Sequence, residues 1–145
     1  FANKTFISST AWTEGIGFNA GLAVIDYFVK NKVSNHLIKI GQLIRSGWER
    51  AAKKNNIQID IGGLKTIPSF QFKYNKYNEK IYTYFTDEML KEKYLATNSI
   101  YISFKHKKND IAKYLIAVDK VFNKINKIIK DKKKLDNIKT RKFNY

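Results

Sequence analysis

The spacing of apolar residues changes period several times along the chain, and each change marks an element. From Ser34 to Lys54, Leu37, Ile40, Gly41, Ile44, Trp48 and Ala51 recur at intervals of three and four. That spacing predicts an amphipathic helix with one buried stripe, with Ser34 as its N-cap and Lys39, Arg45, Glu49 and Lys53 on solvated faces. The period then drops to two. Ile57, Ile59 and Ile61 alternate with Gln58 and Asp60, as in a half-buried strand closed by Gly62-Gly63. Pro68 opens a second strand, Ser69 to Tyr74, with Phe70 and Phe72 on one face, so an antiparallel pair is expected. Helical spacing returns from Glu79 to Lys93 through Ile81, Tyr84, Phe85, Met89 and Leu90. Leu95 to Phe104 reads as extended, with Ile100, Ile102 and Phe104 pointing one way. The clearest amphipathic helix closes the pattern. Asn109 or Asp110 caps it, and Ile111, Tyr114, Leu115, Val118, Phe122, Ile125 and Ile129 form its stripe.

The two ends read differently. Thr13 to Lys30 is predicted helical, small and glycine-rich in its first half, with Ile25, Phe28 and Val29 at helical spacing in its second. Each glycine costs a helix interior about 1 kcal/mol, a cost that is tolerable where another backbone or a ligand must come close. From Lys130 onward the residues are mostly charged and polar, and a frayed or disordered basic tail is expected. No internal repeat is visible. The order helix, helix, strand, strand, helix, strand, helix describes an α+β unit: a small, mostly antiparallel sheet with helices on one face. The glycine-rich helix fits that core less well and suits a connection to a neighbouring domain.

Composition sharpens this picture. The chain has 145 residues, 43% of them hydrophobic, which is enough for one modest globular core. Cysteine is absent, which rules out disulfides and thiolate metal sites and suits a reducing cytosol, so a cytoplasmic location is expected. No apolar run approaches the roughly 18 residues of a membrane span, and no signal-peptide pattern opens the chain. Met89 is the only methionine, so a processed N-terminus or a piece of a longer protein is expected. Phe1 to Phe6 carry no cap or turn signal, which favours the piece.

A net charge of +16 raises nucleic acid as a partner. Lys, Asn, Ile, Phe and Tyr all belong to AT-rich codons, however, and lysine is spread along the whole chain. Arginine, which clamps phosphates and bases bidentately, occurs only at positions 45, 50 and 141. Nucleic-acid binding is therefore disfavoured, and a basic nucleic-acid-binding or protein-interaction module stays as the alternative reading.

Most catalytic patterns fail. His36 and His106 are far apart in sequence with no acid or cysteine at ligand spacing, so no metal site is expected and both read as surface residues. The stretch Gly62 to Thr66 lacks the glycine spacing and the Gly-Lys-Ser/Thr order of a P-loop. There is no Gly-x-Ser-x-Gly elbow and no acid/base carboxylate pair. Tyr74, Tyr77, Tyr82 and Tyr84 could stack bases, but such tyrosines more often edge a core. What remains is Ser8, Ser9 and Thr10, just ahead of the first helix. Unpaired N–H groups and partial positive charge at a helix start suit a phosphate, and hydroxyls from the preceding loop add donors. A plain N-cap cluster would look the same.

Several blocks, in order, carry a resemblance. They are FISSTAWTEGIG (Phe6–Gly17), HLIKIGQLIRSGWERAAKKNNIQIDIGG (His36–Gly63), PSFQF (Pro68–Phe72) and FTDEMLKEKYLATNSIYISFKHKKNDIAKYLIAVDKVF (Phe85–Phe122). Over residues 5 to 128 the chain resembles the C-terminal part of class III pyridoxal-phosphate (PLP)-dependent aminotransferases, in the glutamate-1-semialdehyde aminomutase-like branch. The resemblance implies the small domain of a PLP fold-type-I enzyme. Residues 1–12 would end the cofactor-binding domain, 13–33 would be a connecting helix, 34–129 the small domain, and 130–145 the tail. It implies amino-group transfer between a small-molecule amino donor and a carbonyl acceptor, in a homodimer. The lysine that forms the Schiff base would lie upstream of Phe1, so no residue here is assigned a catalytic role and the fragment alone would be inactive. Thr10, with Ser9 as a weaker companion, would donate to the cofactor phosphate from the opposite subunit. The family often has arginine and proline in this loop where this chain has Gly15 and Phe18, which leaves substrate, and mutase or transaminase, open.

Overall fold

The computed structural model describes residues 15–140. They fall into two units, divided between Val33 and Ser34. The first contains α1 (Gly15–Lys30), none of whose residues is buried. The predicted start of this helix at Thr13, and the segment 1–12, lie outside the described residues. The helix is apolar over most of its surface, with Ile16, Phe18, Leu22, Val24, Ile25 and Val29 all more than half exposed, while Asn19, Asp26 and Lys30 recur at i, i+7 and i+11 and share one narrow polar face. A turn in which Lys32 takes a positive φ of 49° ends it.

The second unit is built from α2 (Val33–Lys54), β1 (Ile59–Leu64), β2 (Ile67–Phe72), α3 (Asn78–Lys91), α4 (Lys108–Lys130) and α5 (Lys132–Asp136). A single 3-10 turn, Asn75–Tyr77, precedes α3. The two strands pair antiparallel, with Ile59 opposite Phe72 and Ile61 opposite Phe70. This register puts Phe70 and Phe72 into the core and leaves Asp60 and Gln71, themselves opposite one another, facing solvent. The stripes read for α2 and α4 are largely buried, whereas Leu90 of the stripe read for α3 is 53% exposed, because it falls beside the buried Met89 rather than on its face. Ile40, Ile44, Trp48 and Ala51 of α2 and Ile111, Tyr114, Val118, Phe122 and Ile125 of α4 all belong to the core. Gly41 lets the hairpin dock on α2. A Cβ there would stand 1.8 Å from the Lys65 carbonyl oxygen at the hairpin tip.

Helix ends depart from the expected caps for identifiable reasons. α2 begins at Val33, so Ser34 lies inside it rather than capping it. The cap residue of α4 is Lys107, not Asn109 or Asp110, while the Asp110 carboxylate accepts the Lys107 N–H at 3.1 Å, as the N3 residue of a capping box does. α2 ends in a Schellman motif in which Asn56 takes φ 54° and the Ile57 N–H reaches the Ala52 carbonyl at 2.9 Å. α3 ends the same way, with Lys93 at φ 69° and Tyr94 N–H on Met89.

Two further expectations are corrected. Leu95 to Phe104 is not a regular strand. It lies along β2 through an isolated bridge, Ser69 to Ser99, and through backbone bonds joining Phe70 to Asn98, Ile100 to Pro68 and Ile102 to Thr66. The predicted alternation still holds, since Ile100, Ile102 and Phe104 are half-buried while Tyr101 and Ser103 are exposed. Likewise, the basic segment after Lys130 is not simply frayed. Asp131 caps α5 by accepting the Lys134 N–H at 3.2 Å, and Leu135 is 2% exposed within the core. Lys80 of α3 donates to the Asp136 carbonyl at 2.6 Å. A buried leucine outweighs a run of lysines whose charged heads stay in water.

Leu135→Ala should therefore cost about 2 kcal/mol or more of stability, as other buried leucine truncations do. Urea unfolding checks this. An unchanged midpoint would mean that the tail does not contribute to the core.

Candidate functional site

The hydroxyl cluster Ser8, Ser9 and Thr10 lies outside the described residues. What is described is the helix that follows it. α1 opens with Gly15, Gly17, Ala20, Gly21 and Ala23, and the Asn19 amide donates back to the Gly15 carbonyl at 2.9 Å. A Cβ on Gly17 or Gly21 would meet nothing within 4 Å, so these glycines relieve no crowding within the described residues.

The two histidines, distant in sequence, meet in the fold. His36 Nε2 lies 3.0 Å from the His106 carbonyl, which can only accept, so Nε2 carries the proton. Phe104 meets the His36 ring edge-on at 5.0 Å. His106 Nδ1 accepts the Ser103 N–H at 3.2 Å. The His36 ring thus ties the start of α2 to the segment before α4, and the His106 ring braces the turn within that segment. The segment 94–101 and the first turns of α4 enclose a cavity of about 340 Å³, edged by the polar groups of Tyr94, Thr97, Ser99, Tyr101, His106 and Asp110. Among the described residues, no three His, Asp or Glu side chains gather as metal ligands.

Two polar clusters, each built around one buried side chain, Glu88 or Asn55, escape a reading by sequence spacing. Glu88 of α3 is 5% exposed and sits between Lys91, at 2.5 Å, and Lys124 of α4, at 2.7 Å. Burial by itself would raise the Glu88 carboxyl, but hydrogen bonds from Lys124 and Lys91 outweigh it and hold the group below its ordinary value. The Lys91 partner is visible in sequence at i+3, whereas Lys124 requires the fold. The second cluster joins the end of α2 to α4. Asp119 accepts from Lys54 at 2.6 Å and from the buried Asn55 amide at 2.8 Å, and Asn123 donates to Asn55 at 3.2 Å. The Lys54 bond is the main reason that the Asp119 carboxyl is held low. In the core, Tyr114 accepts from Trp48 Nε1 at 3.1 Å, and burial pushes its phenol well above the usual range. These clusters fasten helices together, and the Lys54–Asp119 pair lies along the groove between α2 and α4.

No family model matches the chain, and no curated protein matches it. Among solved structures, the PLP internal aldimine form of the Sphingopyxis sp. MTA144 FumI protein has the same fold, with a TM-score of 0.78 and 17% sequence identity. The match covers 96% of this chain and 32% of the FumI chain, so this chain spans about a third of the length of its structural neighbour.

The Glu88 clamp has a pH signature. A carboxyl held low in the folded state binds its proton more readily when unfolded, so its stabilisation is present above the ordinary value of 4.5 and fades as pH falls through the lower folded value. Glu88→Gln should melt below wild type near pH 7, with the gap closing in acid. Thermal melts across that range check this. A gap independent of pH would show that the ion pairs carry none of the difference.

Proposed function

We infer that this chain is the C-terminal small-domain portion of a PLP-dependent class III aminotransferase of the glutamate-1-semialdehyde aminomutase-like branch. One observation carries the reading. Nearly all of the chain, 96%, superposes on a PLP protein, yet it accounts for 32% of that protein. The sequence blocks from Phe6 to Phe122, in family order, support the same assignment.

In this reading residues 1–12 end the cofactor-binding domain and α1 leads from it into the small domain. Its broad apolar surface is then covered by the rest of the enzyme, and the Asp26 and Lys30 end of its narrow polar face is left to solvent. The described residues do not themselves cradle the cofactor. Every lysine among them is exposed or half-buried, and none stands where a buried Schiff-base lysine would. This chain's contribution is Thr10, with Ser9 beside it, donating hydroxyl hydrogen bonds to the phosphate across a homodimer interface. The bound cofactor supplies the electron sink for amino-group transfer between an amino donor and a carbonyl acceptor. Phe18 and Asn19, in the stretch where many relatives have an arginine and a proline, shape the substrate side.

The test has two arms. The chain alone, mixed with PLP, an amino donor and a keto acid, should show neither bound-cofactor absorbance nor turnover, and robust turnover would overturn the reading. In the enzyme that carries this chain, Thr10→Val should weaken PLP binding about tenfold, the loss expected for a hydrogen bond to a charged group. An unchanged affinity would remove Thr10 from the phosphate site.

A further inference from the structure

We propose that the groove between α2 and α4 is a docking site for an acidic amphipathic helix. The groove encloses about 840 Å³. Its apolar wall includes side chains that a finished surface would cover: Leu43 is 37% exposed and Ile116 is 60% exposed, with Leu115 and Ala112 between them. Gly47 lets the Leu115 side chain pack onto α2, since a Cβ there would strike it at 2.3 Å. On α2 the lining runs from Leu43 to Lys54, about 16 Å or three helical turns. That length and shape fit a helix lying in a groove, anchored by apolar residues at i, i+3, i+4 and i+7.

Charge selects among occupants. Arg50, Lys54, Lys108 and Lys120 line the groove, while its one acid, Asp119, is already held by Lys54 at 2.6 Å. Lys120 has a partner in Glu92, but Arg50 and Lys108 have no ion-pair partner among the described residues. A second copy seated here would bring these cations face to face, and like charges across an interface repel. Carboxylates flanking the apolar stripe of a partner helix complement them. The groove lies wholly within the unit that begins at Ser34.

The probe is a fluorescein-labelled peptide of about 14 residues, four helical turns, with leucines at i, i+3, i+4 and i+7 and flanking glutamates. Its companion carries lysines in place of the glutamates. Titrated with the full chain and read by anisotropy, the acidic peptide should bind at least about tenfold more tightly, with affinity that falls as salt rises. Leu43→Glu with Ile116→Glu should abolish binding without changing the circular dichroism spectrum, because both residues are exposed. Arg50→Glu with Lys108→Glu should reverse the preference between the two peptides. The proposal is overturned by equal affinity for the two peptides, by no binding, or by binding that survives the leucine and isoleucine changes. It is also overturned if those changes instead abolish self-association of the chain, or if anionic vesicles bind the groove and the acidic peptide does not.

Discussion

The second unit depends on one ring. Phe70 on β2 is fully buried and meets Trp48 of α2 at 4.9 Å, Phe85 of α3 at 5.4 Å and Phe122 of α4 at 6.0 Å, all edge-to-face. An isolated pair of strands is marginal in water, so a sheet this narrow persists only if helices cover it. Phe70 is where all three long helices of the unit reach the sheet. Edge-to-face rings add about 0.5–1.5 kcal/mol per pair beyond the area that they bury. Phe72, two residues on and so on the same face, joins the cluster against Phe85 and Phe122. Helix order, strand register and the close approach at Gly41 all serve to bring these rings together.

This arrangement also explains the irregular third segment. β2 has β1 on one edge, and its other edge needs partners for its backbone groups. Residues 98–102 supply them at Phe70, Pro68 and Thr66, and Tyr82 accepts the Asn98 N–H at 3.3 Å. Three bonds spaced along the edge are enough to satisfy it and too few to make a ladder. The side chains keep the alternation of a strand because Ile100, Ile102 and Phe104 still pack against the core.

The sequence carries those features that depend on period and misses those that depend on partners. The stripes of α2 and α4 and the inward faces of β2 could be read directly, because burial alone sets where apolar residues recur. The caps of α2 and α4 were misplaced, since a Ser or Asn near a helix start is only one of several ways to pair the first N–H groups. Lys107 serves as the cap residue because Asp110 accepts its N–H, and Ser34 lies inside a helix that starts a residue earlier. Leu135 was hidden among lysines, and its burial follows from the Asp131 cap and from Lys80, which lies on another helix. The meeting of His36 with His106 could not be seen at a separation of 70 residues. The candidate phosphate donors Ser9 and Thr10 are legible only by resemblance, since a hydroxyl cluster before a helix looks alike whether it caps or binds.

The distribution of charge bears on what the surface can do. Acids are scarce, and Asp60, Glu88, Glu92, Asp119, Asp131 and Asp136 are each paired with a lysine. Arg45, one of three arginines, donates to the Gly62 carbonyl at 2.9 Å and staples the hairpin to α2. A guanidinium committed to a backbone carbonyl is not presenting its fork to a phosphate. Among the described residues that leaves Arg50 as the arginine able to act outward, and it stands on the rim of an apolar groove. Phosphate-backbone binding calls for cations ranged over a polar face, whereas cations bordering exposed leucine and isoleucine suit a ligand that is apolar on one side and acidic at its margins. The excess of lysine elsewhere, without arginine and without a groove, is what a drift toward AT-rich codons leaves on any solvated surface.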